Sequence, residues 1–175
     1  NYAVAANEII DFIDNAPLLK LNPNSNKNNE WITKKKNNKW ITKKNWITTK
    51  CSDDYLTAED LNSNSNSFGE TLSHNIFLGK VILYYFPISD TWSLCKSRFD
   101  SLNEIYLEYG GVNGNIIIIG VGKNDGNSIY TVAKDTILPY IKETDEYRLR
   151  GELDVIDRDV YFYNTTGEYV HKVNL

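Results

Sequence analysis

Apolar residues in this chain gather into two runs that leave no polar face. Val81-Ile82-Leu83-Tyr84-Tyr85-Phe86 is one; Asn115-Ile116-Ile117-Ile118-Ile119-Gly120-Val121 carries the other. Runs of this length, rich in β-branched and aromatic residues, read as strands covered on both sides. Between them Leu94, Cys95, Phe99, Leu102, Ile105, Tyr106 and Tyr109 recur every three or four residues. That period predicts an amphipathic helix from about Ser93 to Tyr109, stopped by Gly110-Gly111. Pro87 closes the first strand, and Asp90 or Thr91 can cap the helix. A strand, a helix and a strand in this order place the two strands parallel through a right-handed crossover.

Weaker patterns flank this unit. Asp54 to Leu61 alternates and leads through NSNSNSFGETLS, a polar hairpin-type connection with Gly69. A polar loop from Gly122 to Asn127 precedes a short helix around Ser128 to Lys134. Ile137 to Ile141 then reads as an edge strand that tolerates Pro139, and residues 143 to 150 as another short helix. Asp159 to Asn164 and Glu168 to Val173 form a hairpin around Thr165-Thr166-Gly167. A strand–helix–strand half followed by an antiparallel hairpin makes a mixed central sheet with flanking helices, an α/β arrangement. At the other end of the chain Ile9, Phe12 and Ile13 share a helical face, so a short amphipathic helix ends before Pro17. Such a helix needs an apolar surface to lie on.

Composition divides the chain near Cys51. Residues 1–21 hold the amphipathic segment, residues 22–50 an Asn/Lys/Trp-rich low-complexity linker, and residues 51–175 the folded domain. In the linker, Trp-Ile-Thr recurs at Trp31, Trp40 and Trp46 at spacings of nine and six, which match no solenoid period and read as tandem duplication. Residues 31–50 hold seven Lys and no acid in a chain whose total is −4. A basic strip with indoles suits an anionic polymer or an anionic membrane surface. No basic surface continues into the folded part, so nucleic acid is not the expected partner and a tether is the favoured reading. The apolar runs fall far short of the roughly 20 residues of a membrane-spanning helix. No basic-then-apolar leader is seen, and a chain without Met that opens on Asn1 suits a processed chain or a fragment.

Candidate chemistry is sparse. Two cysteines, Cys51 and Cys95, make no disulfide framework; they can pair, stay free, or one can be reactive. His74 and His171 lie far apart with no ligand at metal spacing, so both are expected as solvent-facing residues and neither a metal nor a cofactor is assigned. Asn164-Thr165-Thr166 is a lone glycosylation triplet on a turn, of the sort that arises by chance in an Asn-rich chain.

In order along the chain, DYLTAEDLNSNSNSFGETLSHNIFLGKVILYYF, WSLCKSRFDSLNEIYLEY, NIIIIGVG and ILPYIKETDEYRLRGELDVIDRDVYFYNTTGEYV resemble the thioredoxin-like superfamily. The likeness spans residues 51 to 173 and is nearest the redoxin branch and the N-terminal domain of selenoprotein P. The resemblance implies a thioredoxin-like fold and a redox site at the helix start. There Cys95 matches the buried resolving cysteine, and Trp92 fills the seat of the attacking cysteine or selenocysteine. Thr91 and Ser93 beside it, and Arg158 and Asp159 where most thioredoxins carry a cis-proline, would then touch the substrate, a protein or small-molecule thiol or disulfide. An indole cannot attack a disulfide, which requires a thiolate or selenolate. Because selenocysteine is encoded by a stop codon that some genetic codes read as tryptophan, a misread residue 92 is an alternative; three further Trp residues argue against it.

Thioredoxin folds also continue past the hairpin into a final helix. A chain stopping at Leu175 is therefore expected either to be truncated or to cover the sheet with the helix at residues 7–14. The family implies an extracytoplasmic setting, periplasmic or secreted. Three functions compete: a thiol–disulfide oxidoreductase acting through Cys95 alone, a non-catalytic binding domain with Trp92 as its contact, and a carrier for the Lys/Trp strip.

Overall fold

The computed structural model describes residues 2–15, 57–124, 130–143 and 149–175. The linker at 22–50 with its repeats, and Cys51, lie outside these residues. The described helices are α1 (Tyr2–Asn15), α2 (Ser93–Glu108), α3 (Tyr130–Ala133) and α4 (Leu149–Glu152). The strands are β1 (Thr57–Glu59), β2 (Thr71–Ser73), β3 (Val81–Tyr85), β4 (Ile116–Gly122), β5 (Tyr140–Lys142), β6 (Asp159–Tyr163) and β7 (Tyr169–Asn174). Five of them form one sheet in the order β5-β4-β3-β6-β7, while β1 and β2 pair separately. As the two apolar runs require, β3 and β4 are parallel, with Val81 opposite Ile116 and Tyr85 opposite Gly120. β5 joins β4 in parallel as the edge, and β6 and β7 add antiparallel on the other side of β3.

Strand alternation sorts the core. Tyr85 stacks on Phe99 of α2 at 6.0 Å, whereas Tyr84 meets Tyr163, and Phe86 meets Tyr161, on the opposite face. Register carries the first face across to Val160 and Phe162, opposite Tyr85 and Leu83. That surface would be bare beyond α2, and α1 lies on it. Ile9 is fully buried, Phe12 meets Phe162 at 4.7 Å and His171 at 6.5 Å, and Tyr109, which caps the end of α2, donates a 2.5 Å hydrogen bond to Asp14. The apolar stripe of α1 thus covers this face of the sheet beside α2. Burial, aided by Asp14, pushes the Tyr109 hydroxyl up to about 12, so it stays a donor at neutral pH.

The polar connection after β1 is an ordered clasp on the sheet edge. Asp60, wholly buried, accepts from the N–H groups of Asn62 and Tyr140 at 3.0 Å and from the Ser67 hydroxyl at 2.8 Å. The Asn62 amide donates to the carbonyls of Thr136 and Leu138. Asn and Ser residues that look like filler in sequence supply these bonds because a buried edge must find partners for its backbone.

His74 corrects the solvent-facing expectation. It is buried, its Nδ1 lies 3.0 Å from the Tyr84 hydroxyl, and its Nε2 lies 3.2 Å from the Gly167 carbonyl. A proton on Nε2 donates to that carbonyl, leaving Nδ1 to accept from Tyr84. Gly167, at φ +79°, turns the β6–β7 hairpin; a Cβ there would sit 2.8 Å from Nε2. His171 is half-buried against Phe12 and Phe162. Desolvation lowers the titration of both histidines, opposed by Gly167 at His74 and by Glu8 at His171.

The sign of the linkage follows. As pH falls through the ordinary histidine value of about 6.5, the unfolded chain takes up protons that the folded one refuses, so stability drops. Urea midpoints should therefore decline from pH 7 toward pH 5.5. His74→Gln should flatten that decline without abolishing it, because His171 still titrates; an unchanged slope would show that His74 is not held neutral.

Candidate active site

α2 begins where β3 has left the sheet, after the turn Pro87–Thr91. The expected cap by Asp90 or Thr91 is not formed. Trp92 holds the capping position, with extended backbone at φ −83° and ψ 126° and no side-chain bond to the helix. Its carbonyl accepts from the N–H groups of Cys95 and Lys96 at 3.0 and 3.1 Å. Thr91 is instead used within the turn, where its N–H donates to the Ser89 hydroxyl at 3.2 Å.

Asp90 faces inward and is 1% exposed. It accepts a 2.5 Å hydrogen bond from the Tyr140 hydroxyl and forms an ion pair with Lys142 at 2.9 Å. Two glycines on β4 make room. A Cβ on Gly122 would fall 2.8 Å from Asp90 Oδ1, and one on Gly120 would collide with the Tyr140 ring. Burial, and then the charge of Asp90, hold the Tyr140 hydroxyl well above its usual range, so it remains a donor to the carboxylate.

A second anchor is Arg150 on α4. Its guanidinium donates to the carbonyls of Pro87 and Val121 at 2.8 and 3.0 Å, pairs with Asp157 at 2.9 Å and Glu143 at 3.3 Å, and lies over the Phe86 ring at 5.3 Å. One side chain thus ties the turn after β3, the end of β4, the segment after β5 and the loop before β6. These are the segments that surround the start of α2.

On that frame the expected site residues separate into two groups. Cys95 is wholly buried in the first turn of α2 as an unpaired thiol. Trp92 is 46% exposed, and Thr91, Ser93 and Leu94 beside it are exposed too. Arg158 stands at the other lip. Its N–H donates to the Phe86 carbonyl at 2.7 Å, and its φ of +79° is a left-handed conformation rare for a non-glycine residue. Asp159 is buried and pairs with Lys172 at 3.1 Å while accepting from Ile156 N–H and the Asn174 amide. Its carboxylate is committed to holding β6 to β7. Asp90, Tyr140 and Arg150 escaped sequence reasoning, since nothing local marks them as partners. The described residues contain no cluster of three or more His, Cys, Asp or Glu placed to hold a metal.

Chemically, Cys95 sits where a thiol is protected from solvent and is reached most readily by a neighbour one helical turn back. That neighbour is an indole. No described residue offers a second sulfur.

No protein-family model and no curated protein sequence matches the chain. Solved structures do. The thioredoxin domain of a thiol-disulfide oxidoreductase from Bacteroides vulgatus aligns at 19% identity and a TM-score of 0.53, covering 67% of this chain and 81% of that one. An exposed lipoprotein thioredoxin of Streptococcus pneumoniae aligns at 16% identity and 0.54, covering 67% and 87%. A secreted disulfide oxidoreductase of Mycobacterium tuberculosis aligns at 14% identity and 0.51, covering 69% and 84%. Together with the sheet order and the helix that follows β3, these likenesses give this chain a thioredoxin-like fold.

Proposed function

We propose that this chain is a recognition domain descended from thiol–disulfide oxidoreductases, which holds a protein partner at the old redox cleft without exchanging disulfides through it. The observation that carries the reading is the pairing of a 46% exposed indole at residue 92 with a 0% exposed thiol at residue 95. An exposed aromatic at the helix start gives contact area at small entropic cost, while a buried thiol has no path to an incoming disulfide. Within the superfamily, the redoxin branch and the selenoprotein P-like domain are the lineage this reading takes. Its degenerate site keeps the second position of the redox pair as Cys95 and fills the first with Trp92. Thr91, Ser93 and Arg158 rim the contact, and Asp159 supports it from beneath.

The test is disulfide reduction with insulin or a small aromatic disulfide, run on the whole chain and on Cys95→Ser. Neither protein should show turnover above background. Turnover in the native chain that Cys95→Ser abolishes would overturn the reading in favour of single-cysteine chemistry. In that chemistry the Cys95 thiolate would attack a disulfide of the partner, forming a mixed disulfide and releasing the partner's other sulfur as a thiolate. An extracytoplasmic setting fits the exposed and secreted neighbours, and no helix of the described residues is long and apolar enough to cross a membrane. Residues 1–21, 22–50 and 51–175 are taken as amphipathic segment, tether and folded domain.

A further inference from the structure

Arg98 lies one helical turn beyond Cys95 and belongs to the buried face of α2. It is 8% exposed, yet its Nε and Nη1 have no hydrogen-bond partner. Guanidinium N–H groups removed from water without an acceptor are costly in a protein interior. Arg150 is provided for differently, with two carboxylates and two carbonyls around its guanidinium. An aliphatic residue at position 98 would continue the apolar stripe formed by Cys95, Leu102 and Ile105.

Helix geometry shows where Arg98 faces. Lys96 and Asn103 point toward α3 and β5, through Asp135 and the Ile137 N–H. Arg98 falls on the opposite flank, which it shares with Tyr109, the residue bonded to α1. A long side chain on a helix leans toward the preceding turn, here that of Trp92 to Cys95. At the same end of the sheet, Arg158 is fixed to the Phe86 carbonyl and has a buried Nε that also lacks a partner.

We propose that Arg98, with Arg158 at the same end of the sheet, seats a carboxylate of the bound partner beside the start of α2. This inference rests on the partner reading above and names the chemistry it would recognise, an acidic side chain or a chain terminus. A guanidinium fork matches a carboxylate in bidentate fashion. A monoanion is preferred over a doubly charged phosphate because the folded part of this chain is itself strongly acidic once the seven linker lysines are set aside.

The experiment is thermal unfolding of the whole chain in sodium chloride, sodium acetate and sodium phosphate at matched ionic strength and pH 7, with no partner protein present. Acetate should raise the melting temperature saturably by about 2–5 °C over chloride, in the range expected of weak specific binding. Arg98→Met should lose that response and melt no lower than the native chain in chloride, because it removes a buried charge that has no counter-ion there. Arg98→Lys should keep part of the response.

Equal effects of acetate on the native chain and Arg98→Met, or none on either, would overturn the proposal. So would a rise with phosphate alone, which would make the site one for phosphate. A large fall of Arg98→Met in chloride would show instead that the arginine is kept for packing of its stem. Since no partner takes part, an acetate response with a working disulfide reductase would refute the recognition reading and leave the anion seat standing. The reverse pair of results would do the opposite.

Discussion

Arg150→Ala should lower the stability of the folded domain by about 3–5 kcal/mol, the cost of breaking a largely buried ion pair from one side. Its side chain is 14% exposed and that of Glu143 is 7% exposed, so the loss takes the guanidinium away from a carboxylate that water hardly reaches. Two carbonyls, those of Pro87 and Val121, lose their donors at the same time. In a domain of this size the melting temperature should fall by about 10 °C. Arg150→Lys should recover only part of this, because an ammonium keeps the charge but cannot bridge two carbonyls and two carboxylates from one plane. Amide hydrogen exchange would localise the effect: the turn 87–91 and the loop 154–158 should lose protection ahead of β3 and β4. Uniform loss across the sheet would mean that Arg150 supports the whole core and does not act as a local anchor of the cleft.

The central architecture was legible because it depends on periodicity. β3 and β4 announce themselves as unbroken apolar runs, α2 by its stripe, and the terminal hairpin by alternation around Gly167. The parallel pairing followed from the strand–helix–strand order and its right-handed crossover. The helix α1 was legible in outline, since an amphipathic segment must have a surface; Phe12 meets Phe162 there and Ile9 is buried.

What escaped were polar side chains buried by partners far along the chain. Asp90 looks like a helix cap, because Asp near a helix start usually is one; it serves Tyr140 and Lys142, fifty residues on, instead. His74 looks like a loop residue until the hairpin tip folds onto it. Asp60 and Asn62 sit in a run of Asn and Ser that composition alone assigns to solvent, yet they fasten the sheet edge. Arg98 is hidden for the opposite reason. It interrupts an apolar stripe by a single position, and the period tolerates one exception without comment. Each miss is a contact between residues whose chemistry is ordinary in isolation and informative only in pairs.

On the recognition reading proposed above, Trp92→Cys is expected to make the chain redox-active. The capping residue of α2 and the third residue of its first turn are the two positions from which sulfurs can meet across the helix start, and Cys95 already holds the second. Although an external disulfide cannot reach the fully buried Cys95, a sulfur attached at 92 approaches from inside the same turn, so solvent access is not needed for pairing. The new thiol would also lie at a helix N-terminus, where the backbone N–H groups favour the thiolate. Under oxidising conditions the variant should lose two hydrogens by intact mass. Against a glutathione series it should titrate as a dithiol–disulfide couple at about −270 to −120 mV, the span of thioredoxin-fold pairs.

Reduction of insulin should then rise clearly above background and vanish again in Trp92→Cys/Cys95→Ser. The gain should remain modest, because on the proposed lineage Arg158 or Asp159 replaces the substrate-clamping cis-proline, and the described residues contain no cis peptide. If residue 92 in the variant alkylates readily but never pairs with Cys95, the two positions are not the relict of a redox pair. The lineage would then rest on the fold alone.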